Sequence, residues 1–192
     1  MGLSVHESVD GYFHEVVCDA LQAVDVTTSS PAEWYLVSLL GDFATQRITD
    51  EPLALRLAGT IYAPPVERVK ALKEVGDTSL YVAGFFGDSL NKSLVGKDYY
   101  CGIGATAYRE LSGRMDGTLT EVYDELSSKF PGFVEVLAEV RRRVDIASGD
   151  VVKIYERWIA QRDERAEQAL RDMGVVLVTS NKRGGTGGGD FE

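Results

Sequence analysis

Apolar residues recur at every third or fourth position along most of this chain, which is the period of an α-helix. Between residues 5 and 24, Val5, Val9, Tyr12, Phe13, Val16, Ala20 and Val24 share one stripe. "SSPAEWYLVSLLGDF" then supplies Ser30 as a cap, Pro31 at the first helical position and Glu33 where a capping box places it, predicting a helix from Pro31 to about Ala44. "TDEPLALRLAGTIY" repeats the device, with Asp50 or Glu51 as cap, Pro52 opening the helix, and Leu53, Leu57 and Ile61 on one face. Pro64 and Pro65 close that helix and open the next, which carries Val66, Val69, Leu72 and Lys73 to Gly76. Gly-Asp recurs at 41–42, 76–77, 87–88 and 149–150, and at 76–77 and 149–150 it reads best as a glycine stop followed by an aspartate cap.

Further helices are predicted in "GDTSLYVAGFFGDSL", from Gly96 to Leu111, in "TLTEVYDELSSKF" after Gly117, and in "PGFVEVLAEVRRRVDIA" up to Gly149. A long last helix runs from Asp150 to Met173. Only "GVVLVTS" at 174–180 has strand character, and one strand cannot make a sheet, so it is read as an extended segment lying on the helices. The expectation is an all-α chain, a single compact bundle of about eight helices with short links. Residues 1–180 form one domain, and 181–192 form a disordered Gly-rich tail whose one apolar residue, Phe191, stands between Asp190 and Glu192.

The stretch "YYCGIGATAY" at 99–108 has the Gly102-x-Gly104-x-x-Ala107 spacing of a dinucleotide-binding turn. Such a turn needs a buried strand before its first glycine, whereas Lys97 and Asp98 stand there, and no βαβ alternation follows. A helical reading accounts for more. Tyr100, Ile103, Gly104, Ala107 and Leu111 fall on one stripe, and Asp98 suits the helix N-terminus. Gly104 and Ala107 then let a second helix approach closely, and Ala83 and Gly84 in "VAGFF" offer the matching small pair.

Charge narrows the partners. A net charge of −10 and a pI near 4.7 argue against a nucleic-acid surface and against docking on anionic lipid. The one basic run, Arg141–Arg143, is interleaved with Glu135, Glu139 and Asp145 and reads as a solvated helix face. Two cysteines cannot build a disulfide framework, no apolar run is long enough to span a membrane, and the N-terminus lacks a signal-peptide pattern; a cytoplasmic protein is expected.

Catalytic motifs are absent: no G-x-S-x-G, C-x-x-C, H-E-x-x-H or Walker loop occurs. His6, Asp10, His14 and Cys18 are spaced four apart and form a ladder of metal-ligand types on the first helix. At about 100° per residue the ladder swings roughly 120° from first rung to last. At most two neighbouring rungs, such as His14 and Cys18, can therefore reach one ion. The remaining donors must be Cys101 or carboxylates from elsewhere. No cofactor is called for by the sequence.

"GDTSLYVAGFFGDSL", then "YYCGIGATAY", then "YERW" near a C-terminal helix resemble an uncharacterised family of bacterial all-helical proteins, across roughly residues 31–175. In that family a G-D-x-x-L-[FY]-x-A-G-F-F segment is followed by Tyr-Tyr, a glycine and Ala-Tyr. The resemblance implies a helical fold and carries no activity and no functional residue.

The functional expectation is a non-enzymatic module that binds another protein or a second copy of itself. Val151, Ile154, Tyr155, Trp158 and Ile159 make an apolar stripe on the last helix, but "QRDERAEQ" from 161 to 168 is polar, leaving half of that helix to meet a partner. Tyr99, Tyr155, Trp158, Arg162 and Phe191 are the expected contact residues. The alternative is a helical enzyme that binds a metal or small ligand through His6 and His14.

Overall fold

A computed structural model describes residues 9–45, 51–90, 95–147, 149, 154–155, 157–158 and 161–172. Every element among them is helical: α1 Val9–Ala23, α2 Ser30–Thr45, α3 Leu53–Gly59, α4 Pro65–Phe85, α5 Gly87–Leu90, α6 Lys97–Ser112, α7 Thr118–Ser128, α8 Phe130–Ala147 and α9 Glu164–Asp172. The chain is all-α. No helix among the described residues is long and apolar enough to cross a membrane. The segment 174–180 and the tail with Phe191 lie outside the described residues.

Helix starts follow the local chemistry of the sequence. Pro65 occupies the first turn of α4, where its missing amide hydrogen costs nothing. α6 begins after Gly96 with Asp98 in its first turn, as its sequence predicts. At α2 the cap is Ser29 rather than Ser30: the Ser29 hydroxyl accepts the Ala32 amide at 3.3 Å. Just past the end of α1, Asp25 adopts the left-handed conformation (φ 56°) while the Val26 amide reaches back to the Leu21 carbonyl.

Two compact units divide the chain, residues 1–143 and 144–192. In the first, α4 lies along α6, α6 along α7, and α1 along α2. Leu36, Leu72, Leu80, Tyr108, Leu111, Leu126, Phe130 and Phe133 are fully buried there.

The expected stop at Gly76-Asp77 does not occur, because α4 runs straight through it. Both residues face α6. A Cβ on Gly76 would lie 2.5 Å from the Tyr108 ring, so glycine is there to admit the aromatic. Asp77 is buried and accepts the hydroxyls of Tyr35 (2.6 Å) and Tyr108 (2.8 Å) on one oxygen and the Lys73 ammonium (2.5 Å) on the other. These bonds compensate for burying a carboxylate. Burial first, and Asp77 next, push the Tyr108 hydroxyl well above its ordinary range; Tyr35 moves the same way.

The small residues pack closely, but not with one another. Gly104 of α6 faces Ser79 of α4 and the ring of Phe130, and Gly84 of α4 faces Leu137 of α8. Ala83 and Ala107 are buried. The basic run is not a solvated face either. Arg142 and Arg143 hold the buried Glu139, while Arg141 donates to the Phe85 carbonyl and stacks over Phe86. Glu139 sits on the inward stripe of α8, so its counter-ions are drawn partly inside with it.

In the second unit, Ile154, Trp158, Ala166 and Leu170 form a small core with Ile146 and Ala169 packed against it. The long helix expected from 150 to 173 is broken here. Arg162 has φ 55°, and Asp163 begins α9 by accepting the Arg165 amide at 2.9 Å. The polar stretch therefore turns back, and its apolar positions, Ala166 and Leu170, bury against Ile154 and Trp158. Arg157 and Asp145 pair at 2.5 Å within this unit.

Candidate functional site

One concentration of ligand-type side chains lies between α1 and α2. His14 and Cys18, one helical turn apart on α1, meet Glu33 from the first turn of α2. The three ligand atoms are separated by 3.0 Å (His14 Nε2 to Glu33 Oε1), 3.5 Å (Cys18 Sγ to Glu33 Oε1) and 3.7 Å (Cys18 Sγ to His14 Nε2). Trp34 stacks on the His14 ring with centroids 4.4 Å apart and planes 16° from parallel. The Cys18 thiol is pushed above its ordinary value by burial first, then by the charge and hydrogen bond of Glu33.

The ladder thus resolves as its pitch requires. Two rungs converge, and a carboxylate from another helix completes the group. Cys101 lies on α6 and takes no part; its thiol is raised chiefly by burial. His6 and the side chain of Asp10 lie outside the described residues. Glu33 was legible only as a capping-box residue, yet its side chain turns to α1 instead.

A groove of about 420 Å³ borders this group, lined by Cys18 and Glu33 together with Gln22, Asp25, Thr27 and Thr28. Thr28 in its lining is held by Glu125 of α7, which accepts the Thr28 hydroxyl at 3.0 Å and the Ser29 hydroxyl at 2.6 Å. Burial raises the Glu125 carboxyl, but the donors from Ser29, Lys129 and Thr28 outweigh it and hold the group below its ordinary value.

The geometry does not suit nucleophilic catalysis. A thiol–imidazole–carboxylate relay places the thiol on one ring nitrogen and the carboxylate on the other. Here both address Nε2, and the thiol is raised where an activated thiol is lowered.

A second feature lies where α3, α4 and α6 meet. A cleft of about 500 Å³ has walls of Ala54, Leu57, Ala58, Ile61 and Ile103, with Arg68 and the Glu110–Arg114 ion pair (2.7 Å) beside them. Arg68 donates to the carbonyls of Ile61 (2.6 Å) and Ala63 (3.1 Å), pinning the turn that joins α3 to α4. Around that turn, Tyr62 is 91% exposed and Val66 83%, and Leu55 and Ile61 are each more than half exposed.

The contact residues expected from sequence are dispersed. Tyr99 is exposed on α6, its hydroxyl oxygen accepting the Ala54 amide at 3.3 Å. Trp158 is buried in the second unit, with Arg162 stacked over its ring at 5.1 Å, while Tyr155 is exposed. Phe191 lies outside the described residues. The exposed apolar residues at 55–66 were visible in the sequence only as the ordinary apolar face of a helix and its turn.

No protein-family model matches this chain, and neither the curated proteins nor the solved structures contain a match to it.

Proposed function

We propose that the protein is a non-enzymatic docking module, and that the cleft between α3, α4 and α6 receives the apolar face of a helix from a partner protein. One observation carries this reading. Leu55 on α3, Ile61 and Tyr62 on the turn pinned by Arg68, and Val66 in the first turn of α4 all stand in water, and Ile61 also lines the apolar cleft. Contiguous exposed apolar surface rimmed by polar groups marks interaction sites. A small molecule in the cleft would leave Tyr62 and Val66 wet, whereas a helix laid across the turn covers both.

A photo-crosslinking residue substituted at Tyr62 tests this in living cells. It should capture one defined protein, and Val66→Asp in the same chain should abolish the adduct. Substitution at the exposed Glu121 of α7 serves as the control. Adducts from 62 no more specific than those from 121 overturn the reading, and an adduct with a second copy of this chain replaces the partner helix by self-association.

A further inference from the structure

We propose that His14, Cys18 and Glu33 bind one borderline divalent cation of the zinc class between α1 and α2, with its remaining coordination position on the groove side. The site is independent of the docking surface and uses none of its residues.

Distances carry the argument. Bond lengths of about 2.0–2.1 Å to nitrogen, 2.3 Å to sulfur and 2.0–2.2 Å to a carboxylate oxygen, at tetrahedral angles, set the ligand atoms about 3.3–3.6 Å from one another. The three separations here are 3.0, 3.5 and 3.7 Å. The two separations to sulfur lie within about 0.2 Å of the tetrahedral edges those bond lengths give, and the nitrogen–oxygen pair need open by only about 0.4 Å. A hydrogen-bonded chain of three groups needs only two close approaches, and the middle member is flanked. Here all three atoms are mutually close, which is the arrangement of donors sharing one centre.

The donor set selects the ion. Thiolate and imidazole disfavour calcium and magnesium, which take oxygen ligands, and favour zinc and its neighbours. The side chains are also held in place from outside. Trp34 stacks on the His14 ring, restricting its rotation. The Ser29 hydroxyl and amide bind Glu125, which anchors the start of α2 and hence Glu33. Cys18 and Glu33 both face the 420 Å³ groove, so the fourth corner is open to water or to a small polar ligand. Three protein ligands with an open fourth position distinguish this arrangement from a closed structural site.

Binding has a defined proton balance. A free cysteine thiol is protonated at neutral pH, whereas a metal-bound cysteine is a thiolate. The incoming cation therefore replaces the thiol proton: the S–H bond breaks, a sulfur–metal bond forms, and one proton passes to the buffer.

Cobalt(II) is the probe, added to the full chain after treatment with chelator. The expected result is one ion per chain, a thiolate-to-cobalt charge-transfer band, visible bands of tetrahedral intensity, and quenching of Trp34 fluorescence. Calorimetry in buffers of different ionisation enthalpy should return one proton released. Cys18→Ser should remove the charge-transfer band and weaken binding at least about 100-fold, since even groups that merely support ligands cost 10–100-fold. Glu33→Gln keeps the shape and should weaken binding while far-UV circular dichroism is unchanged. Octahedral spectra without charge transfer, or a charge-transfer band that survives Cys18→Ser, overturn the proposal.

Discussion

Gly102 and Gly104 stand two residues apart on α6, yet alanine should act on them with opposite signs. A Cβ at 102 would meet nothing within 4 Å, so Gly102→Ala collects the helix-propensity difference of up to about 1 kcal/mol. At 104 the same atom would lie 2.5 Å from Phe130 Cε2 and 2.7 Å from Ser79 Cβ, whereas carbon atoms in contact sit about 3.5–4.0 Å apart. Neither neighbour can retreat, because Phe130 and Ser79 are both fully buried. Overpacking of this kind costs about 1–3 kcal/mol. Two clashes place the cost near the upper end, and offsetting it by the propensity gain leaves a net loss of about 2 kcal/mol. Urea unfolding followed by near-ultraviolet circular dichroism, which reports the packed tyrosines, reads both variants. With a slope of about 2 kcal/mol per molar, the midpoint should rise by about 0.5 M for Gly102→Ala and fall by about 1 M for Gly104→Ala. Shifts of the same sign in both variants would refute the packing of α6 against Ser79 and Phe130.

Asp77→Ala should cost about 3 kcal/mol, because it strands the hydroxyls of Tyr35 and Tyr108 without their acceptor; adding Tyr108→Phe should recover part of that loss in the same denaturation assay. Tyr35 and Tyr108 have folded-state values raised well above that of the unfolded chain, so their contribution is intact below the unfolded value and is lost as the pH rises beyond it. Thermal stability should accordingly decline above about pH 10, and Tyr35→Phe should flatten the decline. Glu125 behaves oppositely: its depressed value makes its contribution full above the unfolded carboxyl range and lost as pH falls, so Glu125→Gln should reduce the slope of acid unfolding. Asp25→Gly should stabilise by about 0.5–1 kcal/mol in thermal unfolding, since glycine adopts the left-handed conformation of that position without strain.

Much of the fold was legible because helices are written locally. Proline at first turns, glycine before Lys97 and the apolar period place both ends of α2 and α6, and the start of α4, within a residue or two. What misled was chemistry that serves two purposes. Gly76-Asp77 has the composition of a stop and cap, but its partners, Tyr35 and Tyr108, come from other helices, and nothing local announces them. Glu33 sits where a capping box places it and was claimed by that local reading, although its side chain reaches His14 nineteen positions earlier. The small residues at 83–84 and 104–107 suggested that the two pairs face each other, whereas Gly104 meets Ser79 and Phe130 and Gly84 meets Leu137, residues that no local pattern pairs with them. Arg162 gave no sign of a break, because arginine is a good helix former and takes the left-handed conformation only when the surroundings impose it.

Size is exchanged reciprocally between α4 and α6. α4 gives up a side chain at Gly76 to receive Tyr108 from α6, and α6 gives one up at Gly104 where Ser79 and Phe130 press in. An axial slip of one turn in either direction would drive a ring into a side chain on one partner and open a void on the other. These paired concessions act as a ratchet tooth in each direction, so the register of the two rods is fixed by steric exclusion as well as by the carboxylate at 77. Sequence drift along either helix is then constrained in couples: a larger residue at 76 is tolerable only with a smaller one at 108.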